Sequence, residues 1–251
     1  MKVGSLFLVP TPLDFGCDEQ TALETSLPEA VQLQAAGLTY WISENARSTR
    51  ACLKRISQKH PLARPLQDIV IMQLPQAVHK RGDHEGHFDA RNLLEPAVQG
   101  HDMGLVCEAG MPAIADPGAS VVRAAHALGI SVRALVGPSS LMLALASSGL
   151  NGQQFAFVGY LPQDAAERSR RISQLEALAL KTGQTQLFIE APYRNVALFE
   201  ALLRTLREDT RLALSCGLTL PGGWSLCLSR RQWQARPVPD LKAPTVFAIS
   251  R

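Results

Sequence analysis

The stretch GLVCEAGMPAIADPGASVVRAAHALGISVRALVGPSS, residues 104–140, decides the fold class. It begins with an apolar run, turns through prolines and glycines, continues as a helical pattern that ends at Gly129, and returns to an apolar run. A strand, a helix and a second strand in this order predict two parallel strands joined by a crossover helix. We therefore expect an α/β protein.

The same alternation continues through the rest of the chain. SLFLV, TYWIS and DIVIMQL predict strands before this stretch, and helical patterns separate them. Near-continuous apolar strands are typical of a mostly parallel sheet that is covered on both faces. After the turn at residues 149–153, shorter strands such as RLALSCGLT, GWSLCLS and TVFAISR follow one another and indicate a mixed sheet. The prediction is two α/β domains, 1–150 and 151–251.

The composition is that of an ordinary globular protein, with 46% hydrophobic and 19% charged residues among 251. No apolar run reaches the roughly 18–20 residues of a membrane span. The beginning, MKVGSLFLVPTP, fits a buried first strand better than a signal peptide. The five cysteines are scattered and odd in number, so we expect a reduced, cytoplasmic protein without a disulfide framework.

The net charge is +3, and the basic residues include two clusters. Arg47, Arg50 and Lys54 are spaced so that they share one face of a helix, with Arg55 and Lys59 nearby. The second cluster is Arg168, Arg170 and Arg171. A solvated helix face and a nucleic-acid surface remain alternatives for both clusters.

Three Pro/Gly turns follow predicted strands, at residues 9–14 (VPTPLD), 108–118 (EAGMPAIADPG) and 136–140 (VGPSS). Ligands of open α/β sheets bind beyond the carboxyl ends of the strands, where such turns converge. One turn alone would be ordinary chain reversal, but three in one half indicate a ligand site. The chain contains neither GxGxxG nor GxxxxGK[ST], which argues against a dinucleotide fingerprint and a nucleotide P-loop.

These motifs resemble the tetrapyrrole methylase superfamily, and within it the branch of ribosomal small-subunit RNA methyltransferases that act on the ribose 2′-oxygen of a cytidine. EAGMPAIADPG and the later GPSS are similar to the DAGTPGISDPG and GPSA motifs of that family. SENARSTRACL resembles its EDTRHTRKLL stretch, FVGYLPQDAAERSRR its GFLP segment and basic helix, and FIEAPYRNVALF its YESPHR segment. The likeness extends over most of the chain.

The resemblance implies S-adenosylmethionine as the methyl donor, bound in a cleft between the two domains, and a homodimer. Donor-binding residues are carried over position by position. They are Pro12, Glu108, Gly110, Met111, Ile114, Ala115, Asp116, Ser139, Ser140, Leu161, Pro192, Leu218 and Thr219, with Glu190 at the same site.

Methyl transfer from a sulfonium needs chiefly alignment, because the donor is already electrophilic. A base, or a cation that stabilises a developing alkoxide, would assist a ribose hydroxyl. Glu44, Arg47, Glu190 and Arg194 stand at the charged motif positions and are the candidate catalytic residues. For each pair, Glu44 with Arg47 and Glu190 with Arg194, a purely structural ion pair remains the alternative.

The chain also departs from the family pattern. Residues 44–47 read ENAR where the family has EDTR. In the loop, Glu108 replaces an aspartate and Met111 replaces a threonine. Cys216 and Gly217 stand in place of the Arg–Glu pair of the family's ARELT stretch. Because an unbalanced charge is costly to bury, their joint loss suggests a changed substrate pocket. The sequence therefore supports the donor more strongly than the acceptor.

Two further polar features predict little. His79, His84 and His87 with Asp83 and Glu85 match no common metal site, so we expect no metal, and their segment, residues 74–91, is predicted to be a mobile connection. Trp224 and Trp233 are expected to pack in the second domain in preference to stacking on bases.

Three functions remain as hypotheses. The first is methylation of ribosomal RNA, with the small ribosomal subunit as partner. The second is methylation of a small molecule or another macromolecule. The third is a non-catalytic homologue that binds donor or RNA.

Overall fold

The computed structural model describes residues 3–75, 78 and 88–251. By its internal contacts the chain divides into two units, Met1–Pro138 and Ser139–Arg251. The sequence placed the boundary near residue 150, and the difference is a single helix at residues 140–148. That helix packs on the sheet of the second unit, because its apolar side chains lie in that unit's core.

The first unit contains one sheet of five parallel strands in the order β3-β2-β4-β1-β5. Its strands are β1 (Ser5–Leu8), β2 (Tyr40–Ser43), β3 (Val70–Gln73), β4 (Met103–Val106) and β5 (Ser131–Ala134). Its helices are α1 (Glu29–Gly37), α2 (Ala46–Ile56), α3 (Glu95–Val98) and α4 (Ala119–Ala127). Short 3-10 turns lie at Leu23–Thr25, Leu66–Asp68 and Arg91–Leu94. The predicted parallel sheet is confirmed.

This sheet is covered on both faces, which explains the unbroken apolar strands. Consecutive residues of a strand point to opposite faces, and Leu6 and Phe7 of β1 accordingly belong to two different core clusters. The same division separates Trp41 from Ile42 in β2. Consecutive residues of β1 such as Leu6 and Phe7 are therefore both buried and both apolar.

Gly104 in β4 is required by its neighbour on β2. A Cβ atom at this position would lie 2.5 Å from the Cε3 atom of Trp41. The indole is fully buried and donates from Nε1 to the carbonyl oxygen of Leu38, at 3.2 Å. The ring thus lies flat against a strand that offers it no side chain.

The second unit contains a mixed sheet in the order β6-β7-β10-β8-β9. Only β6 and β7 are parallel, and the other pairs are antiparallel. The strands are β6 (Phe155–Tyr160), β7 (Thr185–Ile189), β8 (Arg211–Cys216), β9 (Trp224–Ser229) and β10 (Thr245–Ser250). The helices are α5 (Ser140–Ser148), α6 (Ala165–Thr182), α7 (Asn195–Thr205) and α8 (Arg230–Gln234), with a 3-10 turn at Pro192–Arg194. The predicted mixed sheet is confirmed.

Trp233 lies in the core of the second unit, as the sequence predicted. Its Nε1 donates to the carbonyl oxygen of Leu212 at 2.8 Å, and its ring meets the edge of Phe199. Trp224 is half-buried and packs against the same core cluster. Both indoles therefore have packing roles in this unit.

The sequence did not predict the short helices α3 and α8. For α8 a signal was present, because Ser229 and Gln232 form a capping box at its beginning. Among the described residues, the helices are all too short or too polar for a membrane span. Most of the polar segment 74–91, with the three histidines, Asp83 and Glu85, lies outside the described residues.

Candidate functional site

The loop at residues 108–118 connects β4 to α4 and is tied to the turn after β1. Thr11 and Gly110 form a two-way backbone bridge in which each N–H donates to the other's carbonyl oxygen at 3.0 Å. The hydroxyl of Thr11 also donates to the carbonyl oxygen of Cys107, at 3.3 Å. Pro12 follows directly and is buried. Two of the three Pro/Gly turns therefore meet at the carboxyl edge of the parallel sheet, as their positions predicted.

The loop takes a tightly curled path that ordinary residues avoid. Gly110, Ala113, Ala115 and Gly118 all have positive φ, at 78°, 65°, 65° and 140°. At Gly118 a Cβ atom would lie 3.1 Å from the Cδ2 atom of Leu105, so both the backbone angle and the space call for glycine. The loop therefore holds a fixed, strained shape, which is common where backbone groups meet a ligand.

Three carboxylates gather at this edge of the sheet. Glu44 follows β2, and Glu108 and Asp116 lie at the two ends of the loop after β4. The backbone N–H of Glu108 donates to Oε2 of Glu44, at 3.4 Å. Burial, then the negative charge of Glu44, raises the pKa of Asp116 to about 7; Glu108 adds to the increase, and a hydrogen bond with Cys107 opposes it. A site with this surplus of negative charge favours a cationic ligand.

Asn45 stands where the family has an aspartate, and its side chain connects α2 to this cluster. Its side-chain oxygen accepts from the backbone N–H of Arg47 at 2.9 Å and caps α2. Its side-chain amide donates to Oε1 of Glu108, at 2.8 Å. A carboxylate at position 45 would accept but not donate, so Asn45 and Glu108 are a matched pair.

The outer face of α2 carries the first basic cluster. Arg47, Arg50 and Lys54 are exposed, and the ion pairs of the described residues include none for them. By contrast, Arg55 makes two 3.0 Å hydrogen bonds to buried Asp14, and Lys59 pairs with Glu24. The cluster therefore consists of two structural cations and three that face solvent.

Glu190 and Arg194 of the second unit form a close pair around the turn at Pro192–Arg194. Both Nε and Nη2 of Arg194 donate to Oε1 of Glu190, at 2.9 and 2.7 Å. The same oxygen accepts from the backbone N–H of Ala191, at 2.8 Å. The Glu190 side chain is only 2% exposed. This geometry fits the structural alternative for the pair, while Pro192 itself is exposed.

Leu218 and Thr219 lie in the turn that follows β8. Thr219 has a φ of 71°, and its hydroxyl oxygen is buried without a hydrogen-bond partner. Cys216 and Gly217, at the position of the lost Arg–Glu pair, border a cavity of about 250 Å³. The Cys216 thiol donates to the carbonyl oxygens of Asp240 and Ala243, both at 3.7 Å. The missing ion pair is thus replaced by a neutral, internally bonded side chain.

The remaining predicted site residues differ in accessibility. Met111, Ser139 and Ser140 are half-buried, Ile114 and Ala115 are exposed, and Leu161 belongs to the second unit's core. The side chain of Leu161 is therefore already engaged, and only its backbone is left for a ligand. The structure brings together Pro12, Glu44, Glu108, Gly110 and Asp116 within the first unit.

Sequence reasoning missed Thr11 and Cys107 as members of the site. Thr11 stands inside the VPTPLD turn, and Cys107 directly precedes the loop, so each had a positional signal. In the described part of the chain, no group of three His, Cys, Asp or Glu residues could hold a metal ion.

Comparisons with known proteins agree with the resemblance. A family model described as "Tetrapyrrole (Corrin/Porphyrin) Methylases" matches residues 42–222. Three curated relatives bear the name "Ribosomal RNA small subunit methyltransferase I". The protein of Micromonospora olivasterospora is 32% identical over 86% of this chain, that of Escherichia coli O157:H7 31% over 86%, and that of Pseudomonas aeruginosa 32% over 77%. This chain spans 60%, 66% and 59% of their respective lengths.

A solved structure shares the architecture. The crystal structure of the methyltransferase CobJ matches with a TM-score of 0.60, covering 99% of this chain and 94% of the other. Its sequence identity is 14%, so this likeness concerns the fold alone. The family model spans well over half of the residues, and the chain belongs to the tetrapyrrole (corrin/porphyrin) methylase family.

Proposed function

We propose that this protein is an S-adenosylmethionine-dependent methyltransferase that acts on ribosomal RNA, with the ribose 2′-hydroxyl of a cytidine as acceptor. The observation that carries the proposal is the strained loop at residues 108–118, which combines left-handed backbone with three neighbouring carboxylates. Relatives named as small-subunit ribosomal RNA methyltransferases support the choice of RNA.

The residues present fit the donor. S-adenosylmethionine carries positive charge on its sulfonium and its amino group, and Glu44 and Glu108 supply opposite charge, to which Asp116 adds as it ionises near pH 7. The curled backbone of the loop offers N–H and C=O groups for neutral contacts. The position of the donor that the resemblance implies stays a prediction.

The donor supplies an electrophilic methyl group on a positively charged sulfur. In the transfer, a bond forms between the acceptor oxygen and the methyl carbon while the carbon–sulfur bond breaks, and the hydroxyl proton must leave. Among the four candidate catalytic residues, Glu44 is the best placed to accept that proton, because it stands in the acidic cluster. Arg47, at the beginning of α2, is placed to stabilise the developing alkoxide.

Glu190 and Arg194 suit a different role. Three hydrogen bonds already engage one oxygen of Glu190, so we assign the pair to holding the Pro192–Arg194 turn in shape. This assignment favours the structural alternative over proton transfer by Glu190.

RNA as acceptor is supported by the exposed cations of α2. Arg47, Arg50 and Lys54 begin at the acidic cluster and extend along the helix for seven residues, about 10 Å. Exposed cations in such a row suit a phosphate backbone. They offer less to a compact small molecule, which is the second candidate acceptor.

Binding without turnover is the third candidate, and Cys216 is the observation that favours it. Its buried thiol stands where the family pattern has an arginine, and its hydrogen bonds include two to the backbone carbonyl oxygens of Asp240 and Ala243. As part of the proposed function we expect a homodimer. We also expect it to be located in the cytoplasm, because the five cysteines are unpaired, as in a reducing compartment.

Two measurements test the proposal in sequence. Calorimetric titration with S-adenosylmethionine should give a saturable binding curve, and no heat at millimolar donor would refute the donor assignment. Radiolabelled donor with small ribosomal subunits from a strain lacking the gene should then label the RNA. Binding without labelling would favour the non-catalytic alternative, and mapping the labelled nucleotide would test the cytidine 2′-oxygen.

A further inference from the structure

The turn at Pro192–Arg194 presents an aromatic ring to solvent. Tyr193 is 83% exposed, the highest value among the large hydrophobic side chains of the described residues. The guanidinium carbon of Arg194 lies 5.1 Å from the centre of its ring, in a cation–π contact. One face of the ring is thus occupied, and the opposite face is left to solvent.

This ring stands on a rigid support. Arg194 is held by two hydrogen bonds to Glu190, whose side chain is buried and also fixes the backbone of Ala191. Pro192 restricts the turn further. The arginine that backs the ring is thus fixed before any ligand binds, which lowers the ordering cost of a contact at this turn.

A second exposed tyrosine belongs to the same unit. Tyr160 ends β6 and is paired in register with Ile189, the last residue of β7. It is 61% exposed. The second unit thus exposes one tyrosine at the end of β6 and another in the turn that follows β7.

We propose that Tyr193, backed by Arg194, is a stacking platform for an unpaired base of the RNA substrate. Aromatic side chains and arginine planes are the groups on which proteins stack splayed-out bases, because every base offers a π-face. The platform requires single-stranded RNA, since bases in a duplex already stack on each other. The inference rests on the proposed function and names the part of the substrate that this turn contacts.

Binding of a short cytidine-containing oligoribonucleotide tests the platform with the full chain. Tyr193→Ala should weaken binding of the single strand at least about fivefold and leave binding of the matched duplex unchanged. Tyr193→Phe keeps the ring and should bind as the unaltered protein does. Phe15→Ala, at another exposed aromatic residue, should have no effect.

Several results would overturn the platform. They are unchanged single-strand binding by Tyr193→Ala, an equal loss for strand and duplex, a loss in Tyr193→Phe as large as that in Tyr193→Ala, or no binding of the strand by the unaltered protein. A change of oligomeric state in Tyr193→Ala without a change in RNA binding would assign the ring to a protein interface instead. Calorimetry with S-adenosylmethionine should give the same affinity for all variants.

The failure of this inference can be told from that of the proposed function. If the unaltered protein labels ribosomal RNA and Tyr193→Ala does so with the same KM, the platform is wrong and the function stands. If nothing is labelled but single strands bind in a Tyr193-dependent manner, the platform stands and the function is wrong.

Discussion

The side-chain amide of Asn45 and the carboxylate of Glu108 lie 2.8 Å apart and join two segments that are 63 positions distant in the chain. One residue follows β2 and the other follows β4, two neighbouring strands of the parallel sheet. The bond therefore fixes the beginning of α2 relative to the strained loop. Both residues are departures from the family pattern, and they bond to each other.

Replacing Asn45 with Asp should destabilise the protein by about 1–3 kcal/mol at neutral pH, because two carboxylates then face each other without a donor. Aspartate caps a helix as well as asparagine does, so loss of the cap does not explain the effect. Urea unfolding at pH 7 measures this loss of stability. Asn45→Ser keeps a cap without adding charge and should cost less. Equal stability of Asn45→Asp and the unaltered protein would contradict the pairing.

Asp116 should make the folded protein more stable in mild acid. Its pKa is about 7 in the folded state against 3.8 for an ordinary aspartate, so the folded state retains a proton that the unfolded chain has released. Folding takes up a proton in this window, and the free energy of unfolding should fall as pH rises from about 4 to 7. Burial and the charges of Glu44 and Glu108 raise the pKa of this carboxyl, and its hydrogen bond with Cys107 lowers it.

Asp116→Asn should remove this part of the pH dependence, as measured by thermal unfolding across the same pH range. Asp209→Asn, at an exposed carboxylate, is the matched control and should leave the profile unchanged. An Asp116→Asn profile as steep as that of the unaltered protein would show that other groups cause it.

Removing Arg194 should destabilise the second unit substantially. The carboxylate of Glu190 is buried, and without its partner the charge is left with one backbone donor. Loss of one partner of an ion pair leaves the buried carboxylate uncompensated, so the free energy of unfolding should fall. Arg194→Ala with Glu190→Gln should recover part of the loss in chemical denaturation. No recovery in the double variant would count against a charge effect.

Removing two exposed cations of α2 should weaken RNA binding without affecting the donor. With Arg50→Ala and Lys54→Ala, the slope of log affinity against log salt should become shallower by about 0.7–0.9 for each phosphate that the protein no longer neutralises. Arg204→Ala with Arg231→Ala removes two exposed cations that are already paired with Glu200 and Glu208, and is the control. Identical slopes for the two double variants would mean that the exposed cations of α2 contact solvent and not the RNA phosphates.

Much of the fold could be predicted because its strands and helices have distinct periodicities. Residues 104–140 contain a strand, a helix and a strand with glycines at the turns, and the structure has β4, α4 and β5 at those places. The position of α5 was harder to assign. A short apolar helix such as LMLALASS is compatible with either unit, and only its packing on β8, β9 and β10 determines its place.

The site was predictable in its backbone and less so in its side-chain partners. Pro/Gly turns are recognisable from a few neighbouring residues, so the loop and its glycines were found. The bond between Asn45 and Glu108 depends on the order of strands in the sheet, which the sequence does not give. For the same reason the sequence could not show that Arg55 pairs with Asp14, whereas other cations of the cluster face solvent.

Ala113 and Ala115 hold a left-handed backbone at φ 65°, and the family pattern has glycine at the first of these positions. Such a conformation costs an alanine on the order of 1–2 kcal/mol. Replacing the alanine with glycine would remove this strain, but the greater freedom of glycine in the unfolded chain would cost about 0.4–1 kcal/mol of stability. Replacing either alanine with glycine should therefore raise the thermal stability of the protein modestly. A more heat-resistant variant made in this way, assayed beside its parent, would reveal whether the tension in the loop serves turnover or is simply tolerated.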